Sequence, residues 1–333
     1  MRMGPIAVTA WLLVEQCERL GLARQAALCA FLGDDWHVAR SARYGSRDVR
    51  RLHLLFDSVA AAGNREHAKI RCSASELLAL YGLLQFWIAT EVPPDARLDE
   101  ARRCYDRACH AVDLILQVKR RLVKGSDVSA QVTAAMAEHL ALFTRCFGAD
   151  RVKPKHHWAF DVAEQLPEHG LHLMDAFVVE RLHLRARSVA DHVSNTKVFE
   201  QALCTGLLNA QSHALQGDRV TLGLVGKCLR TDVGDIPQAL VADAMRIGGR
   251  YIEVDAVVAS ARSHVGIVRA CMEHEGQLFA IVTPLAISRH VAKAVLCEAT
   301  GGRELQLWRA ADTEPCLAWK RCCRSGAYTV VTP

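Results

Sequence analysis

The sequence predicts an α+β chain: a mostly helical N-terminal array, a partial RNase H-like segment, and a small antiparallel β-rich C-terminal domain. Two textures and a break between them predict this division. Residues 1–148 carry apolar side chains at spacings of three and four with short polar interruptions, the pattern of packed amphipathic helices. From about Val220 the chain changes to short runs rich in β-branched and aromatic residues, separated by turn residues. Between them, 149–216 joins a His- and Lys-bearing stretch to further helical periodicity, so the expected domains are 1–148, 149–216 and 217–333.

Taken in order, residues 8–32 read as one helix that carries Trp11, Val14, Cys17 and Leu20 on one side and stops at Gly33. Residues 34–47 read as a polar loop, Leu52–Val59 as a short apolar helical turn, and Gly63–Arg71 as a loop. Ser73 and Glu76 form a Ser-x-x-Glu capping box ahead of Leu77–Val92, which is apolar nearly all round and therefore predicts a buried helix ended by Pro93 and Pro94. A helix over Asp99–Val123 turns Tyr105, Cys109, Val112 and Leu116 inward. Another over Val128–Phe147 does so with Val132, Met136, Leu140 and Phe143, and Gly148 ends it. Phe199–Leu215 is one more helix. Seven strands are expected after it: 220–225, 251–259, 265–271, 278–283, 304–308, 317–320 and 328–331, with Trp308 and Trp319 facing the core.

With 51% hydrophobic and 23% charged residues, the chain has enough apolar material for a real core and is not a disordered polyelectrolyte. A net charge of +5 permits contact with polyanions without demanding it. The thirteen cysteines are odd in number, scattered and without a CxxC pair, which fits reduced thiols of an intracellular protein better than a disulfide framework or a zinc site. The apolar run 5–14 flows into a helical pattern and reads as a helix rather than a signal segment. No stretch approaches the ~18–20 apolar residues of a membrane span, so no membrane partner is expected. Walker, GxGxxG, GxSxG and HExxH motifs are all missing.

The richest set of chemistry-bearing residues lies in 153–187. Lys153, Lys155, His156 and His157 precede an apolar run, Trp158–Phe160. A turn is expected at Pro167–Gly170. A second apolar run, Ala176–Val179, then ends on Glu180, where helical periodicity begins. A carboxylate at such a junction suits acid–base or metal chemistry. It equally suits pairing with Arg181, Arg185 or Arg187 on a solvated helix. The adjacent imidazoles His156 and His157 diverge, so one can face a ligand while the other enters the core. Asp35, Trp36 and His37 form a second, weaker polar cluster. Arg151, Lys153, Lys155, Arg181, Arg185 and Arg187 are the cations suited to phosphate contacts.

The stretch KPKHHWAFDVAEQL (153–166), followed by AFVVERLHLRAR (176–187) and a helix, resembles the C-terminal half of CACTA-like and related DDE transposon-encoded proteins. IRCSASELLALYGLL (70–84) resembles the start of their helical insertion, and 104–147 its paired helices. The resemblance covers about 40–215 well and the tail loosely. It implies an RNase H-like core in which three carboxylates hold two divalent metals. Residue by residue, Glu180 matches the last carboxylate of the triad, Arg181 the basic residue beside it, and His156 and His157 the His-bearing strand entry. The first two carboxylates have no counterpart on an early strand; Asp34 and Asp35 are the only early candidates. The expectation is therefore a truncated transposase-derived protein without nuclease activity, binding DNA non-specifically and acting in the nucleus. It needs no cofactor; Mg²⁺ or Mn²⁺ would enter only with an intact nuclease. The alternative is a helical scaffold or protein-interaction protein.

Overall fold

A computed structural model describes residues 4–33, 36–38, 49–72, 74–119, 123–169, 199–217, 223–247, 250–260, 264–291, 294–299, 305–316, 318–322 and 325–331. It shows a helical layer joined to antiparallel sheets, an α+β fold.

The helical layer begins with α1 (Gly4–Arg19) and α2 (Gln25–Gly33). The single helix expected over 8–32 is broken in two because the chain turns at Gly21, whose φ of +69° is a left-handed conformation that glycine adopts without strain. The supposed loop 63–71 is also corrected. Helix α3 spans Ser58–His67, and Asp57 caps it by accepting the Ala60 amide at 2.7 Å. Asn64, buried within α3, closes the following turn: its side chain donates to the Leu55 carbonyl and accepts the Arg71 amide, both at 2.8 Å.

Helices α4 (Ala74–Thr90), α5 (Ala96–Lys119) and α6 (Gly125–Phe147) follow close to their expected positions. Ser73, the first residue of the capping box, lies outside the described residues. The all-round apolarity of α4 is explained by its surroundings. Leu77, Leu80, Tyr81, Leu84 and Trp87 are buried against α1, α2 and α5, and the helix also touches β9 (Gln277–Val291) and β14 (Tyr328–Val331). Two tyrosine hydroxyls inside this core are satisfied, while the Trp11 and Trp87 indole nitrogens are buried with no hydrogen-bond partner among the described residues. Tyr105 donates to the Tyr81 carbonyl at 3.0 Å, and Tyr81 donates to Asp113 at 2.8 Å.

Helix α7 (Pro154–His169) packs against α6 around Ala111, Val118, Val132, Met136, Ala163 and Leu166. The apolar run 158–160 is therefore helical, and the helix continues through Pro167 where a turn was expected. Helix α8 (Phe199–Gly217) ends the helical part.

The β part is larger than seven strands. β2 (Gly223–Val225), β5 (Ala244–Ile247) and β6 (Arg250–Glu253) form a three-stranded sheet. β8 (Val265–His274) and β9 form a long hairpin at the centre of an eleven-stranded sheet. One half of β8 pairs with β7 (Val257–Ser260) and the other with β4 (Ile236–Ala242). β9 likewise pairs with β10 (Ala294–Ala299) and β11 (Gln306–Arg309). β3 (Leu229–Val233), β12 (Thr313–Pro315) and β13 (Ala318–Arg321) complete it with β14 and with β1 (His37–Val38). The expected strand 251–259 is split into β6 and β7 at a turn, where Asp255 has a φ of +62°.

β1 (His37–Val38) corrects the reading of 34–47 as loop throughout. It pairs with β13, His37 opposite Trp319, and the two rings stack at 4.3 Å. Next to it, Lys320 of β13 points its Nζ at the rings of Trp36 (4.8 Å) and Phe31 (5.4 Å). The helical and β parts thus share one core, to which the sheet contributes Ala294, Ala318 and Val331. Trp308 and Trp319 are half-buried against the cores of the sheet.

Two outcomes test this packing. Gly125 sits where a Cβ would overlap the Leu166 carbonyl of α7. Gly125→Ala should therefore cost about 1–3 kcal/mol of stability by pushing α7 off α6, read as a lower urea midpoint and faster proteolysis within α7. Lys320→Met keeps the apolar stem and removes the cation. It should lower stability by about 0.5–2 kcal/mol in urea unfolding and change Trp emission, since Trp36 loses its charged neighbour.

Candidate nucleic-acid interface

The site is the connection from α6 to α7. Helix α6 ends at Gly148, whose amide donates to the Thr144 carbonyl at 3.0 Å. A single 3-10 turn, Ala149–Arg151, redirects the chain, and Lys153 stands as the residue before α7. Pro154 then occupies the first helical position, where its missing amide proton costs nothing and its fixed φ suits the helix. His156, two residues on, turns back. Its Nδ1 accepts the Lys153 amide at 3.0 Å, and its own amide donates to the Lys153 carbonyl at 2.8 Å. This is one half of a capping box, the third helical side chain returning to the capping amide, with histidine in the role usually played by Glu or Gln. The Lys-Pro-x-His sequence is therefore a helix start, which corrects the expected His-bearing strand entry.

His156 is also a core residue, 1% exposed. Its ring lies 4.6 Å from that of Phe143 and 6.0 Å from that of His139, the latter nearly parallel at 12°. His139 is fully buried, and its Nδ1 meets the Cys104 carbonyl at 3.0 Å, which places the ring proton on Nδ1. The Nε2 atoms of both rings are buried without a hydrogen-bond partner among the described residues. Burial, the largest cause, pushes the His139 pKa down to about 4; the Cys104 carbonyl opposes this and His156 adds to it. His156 is shifted down as well, first by burial; the Lys153 carbonyl, 3.2 Å from Nδ1, opposes this, and the charges of His157 and Lys153 contribute. Both imidazoles are therefore neutral at pH 7.

On the solvent side, Arg151, Lys153 and His157 are exposed within one turn of the α7 N-terminus. Lys155 lies on the same turn of backbone. Farther along, the exposed face becomes acidic, with Asp161, Glu164 and Glu168. The two neighbouring histidines thus divide as their divergence requires, His156 inward and His157 outward. Of the remaining candidates, Glu180, Arg181, Arg185 and Arg187 lie outside the described residues, as do Asp34 and Asp35. Trp36 and His37 belong to the contact between the helical and β parts. Among the described residues, no group of three or more His, Cys, Asp or Glu side chains is placed to hold a metal ion. The described cysteines are all free thiols, and no described helix is long and apolar enough to cross a membrane. His156 does not fit a metal-ligand role in this arrangement, because its Nδ1 is committed to the Lys153 amide and its Nε2 is enclosed by the core. Sequence reading missed His139 altogether; its placement four residues before Phe143 on the inward stripe of α6 was the available signal.

Compared with protein-family models, curated proteins and solved structures, the chain matches none.

The buried pair makes stability depend on pH. Because the folded pKa of His139 lies below the ordinary 6.5, the unfolded chain binds the extra proton between pH 6.5 and about 4. Its contribution is fully present above pH 6.5 and lost as pH falls towards 4, a change of about 3 kcal/mol, with His156 acting in the same direction. Urea unfolding at pH 7 and pH 4.5 should show this loss, and His139→Phe should flatten the slope.

Proposed function

We propose that the chain is a transposase-derived protein that holds nucleic-acid phosphates at the entry to α7 and does not cleave them. The observation that carries this reading is an electrostatic conflict. A helix N-terminus already has a positive partial charge, so stability alone favours acidic side chains in its first turn and cations at its end. In α7 the order is reversed: no acidic residue occupies the first turn, Arg151, Lys153 and His157 crowd it, and Asp161, Glu164 and Glu168 follow. An anion bound at the first turn relieves that conflict by meeting the side-chain cations at the positive end of the helix. Binding of this kind contacts the phosphate backbone and carries no sequence preference.

The lack of cleavage in this proposal rests on the sequence offering no counterpart on an early strand for the first two carboxylates of the triad. The resemblance of 70–84, 104–147 and 176–187 supports descent from a DDE transposase, an RNase H-like ancestry and a nuclear site of action, while 153–157, a helix start, departs from it. A second reading, a scaffold or protein-interaction protein, is favoured by the single core that the helical and β parts share.

Fluorescence anisotropy with a mixed-sequence DNA duplex separates the two. The affinity should fall steeply with salt, with a slope of roughly −0.9 per phosphate contacted. Arg151→Gln and Lys153→Gln should each reduce the magnitude of that slope by about one. Lys153→Glu should weaken binding further while leaving folding stability unchanged or raising it by about 0.3–1 kcal/mol, since it relieves the clash with the helix dipole. Absent or salt-insensitive binding favours the scaffold.

A further inference from the structure

We infer that β3 is a self-complementary edge through which two copies of this chain pair, antiparallel and centred on Thr231. β3 ends the strand order of the large sheet, and among the described residues it pairs with β4 alone. Four of its five residues are exposed, and Leu229, 59% exposed, is one of the few large apolar side chains left in solvent. The edge carries no interruption of its own. Between the pairs Thr231–Ala239 and Val233–Ile236, one residue of β3, Asp232, stands opposite two of β4, so the extra residue lies on β4. The Gln238 amide donates to Asp232 Oδ1 at 2.9 Å and holds that bulge in place.

The occupant follows from the order of residues, Leu229-Arg230-Thr231-Asp232-Val233. A two-fold axis at Thr231 sets Thr231 opposite its copy, Arg230 opposite Asp232 twice, and Leu229 opposite Val233 twice. An antiparallel ladder accepts such a centre whichever of its two alternating pair types falls there. The neighbouring registers are worse. Centring on Arg230 opposes two arginines, and centring on Asp232 opposes two carboxylates, both unfavourable for directly facing residues. Arg230 makes no ion pair among the described residues, so the pairing also supplies its counter-charge. Val233 packs against the buried cluster of Ala239, Met272 and Ile281 on the apolar face of the sheet, and Leu229 of a second copy extends that face. Five residues a side cover far less than the ~1,200 Å² of a standard stable interface, so the pairing is a weak, concentration-dependent one.

Sedimentation velocity of the full chain, without DNA, tests this independently of any role in nucleic-acid binding. Wild-type protein should shift from monomer towards dimer across a concentration series into the high micromolar range. R230D opposes carboxylates at both pairs and D232R opposes guanidinium groups, so each alone should raise the dissociation constant at least about tenfold. An equimolar mixture of R230D and D232R should associate, because every facing pair is then of opposite charge. The double variant R230D/D232R should regain self-association. Thermal unfolding of each variant separates lost pairing from a damaged hairpin, and R230D leaves the Asp232–Gln238 bond intact. Monomeric wild type throughout, association of R230D equal to wild type, or two folded single variants that do not associate when mixed would each overturn the inference.

Discussion

The constraint on which the structure depends is the all-round burial of α4. A 17-residue helix carrying Leu77, Leu80, Tyr81, Leu83, Leu84 and Trp87 has no face to offer water, and each large side chain left exposed would forfeit about 1.5–3 kcal/mol. Helices alone do not close around it. α1, α2, α5 and the 3-10 helix Val49–Phe56 cover much of it, and the sheet meets it through β9 and β14. That requirement joins the two parts. It also accounts for the aromatic contacts beside it, where Phe31, Trp36 and Phe86 gather at centroid distances of 5.4–6.2 Å and Lys320 reaches over from the sheet.

A second, smaller core decides how α7 is held. Its inward stripe, His156, Ala159, Phe160, Ala163 and Leu166, packs on α5 and α6, and Ser129 donates to the Ala163 carbonyl at 2.7 Å. The close approach needs glycine at 125. His156 contributes twice to this arrangement, capping the helix with one ring nitrogen and filling the core with the ring itself. The same anchoring turns Arg151, Lys153 and His157 outward. Burial of one histidine and display of its neighbour are thus one structural fact, and the proposed phosphate site is the exposed side of a buried joint. The surface ion pairs joining α5 and α6, Arg103 and Arg107 with Glu138 and Arg145 with Glu100, are exposed and contribute little by comparison.

The sequence by itself determined the elements whose signals are local. Periodicity located α5 and α6, because an apolar stripe repeats within a few residues, and α4 was located by its all-round apolar run between a capping box and two prolines. Enrichment in β-branched and aromatic residues after a turn located the strand at 328–331 to the residue, and the two histidines had to diverge because neighbours on a helix do. Only the tertiary structure decided the rest. α3 was hidden because its alanines and Gly63 have no apolar stripe, and Asp57 alone marked its start. β1 was hidden because two residues have no period, and they become a strand only when β13 supplies the partner. β9 reaches 15 residues because β10 and β11 pair with its two halves, which no local pattern encodes. The Lys-Pro-x-His start of α7 was legible in principle, since Pro after a cap and a side chain returning to the capping amide are local chemistry. What made His156 a core residue was not local. His139 and Phe143 meet it from a helix that is neighbouring in space, and burial depends on which surfaces come together rather than on the residues that precede and follow.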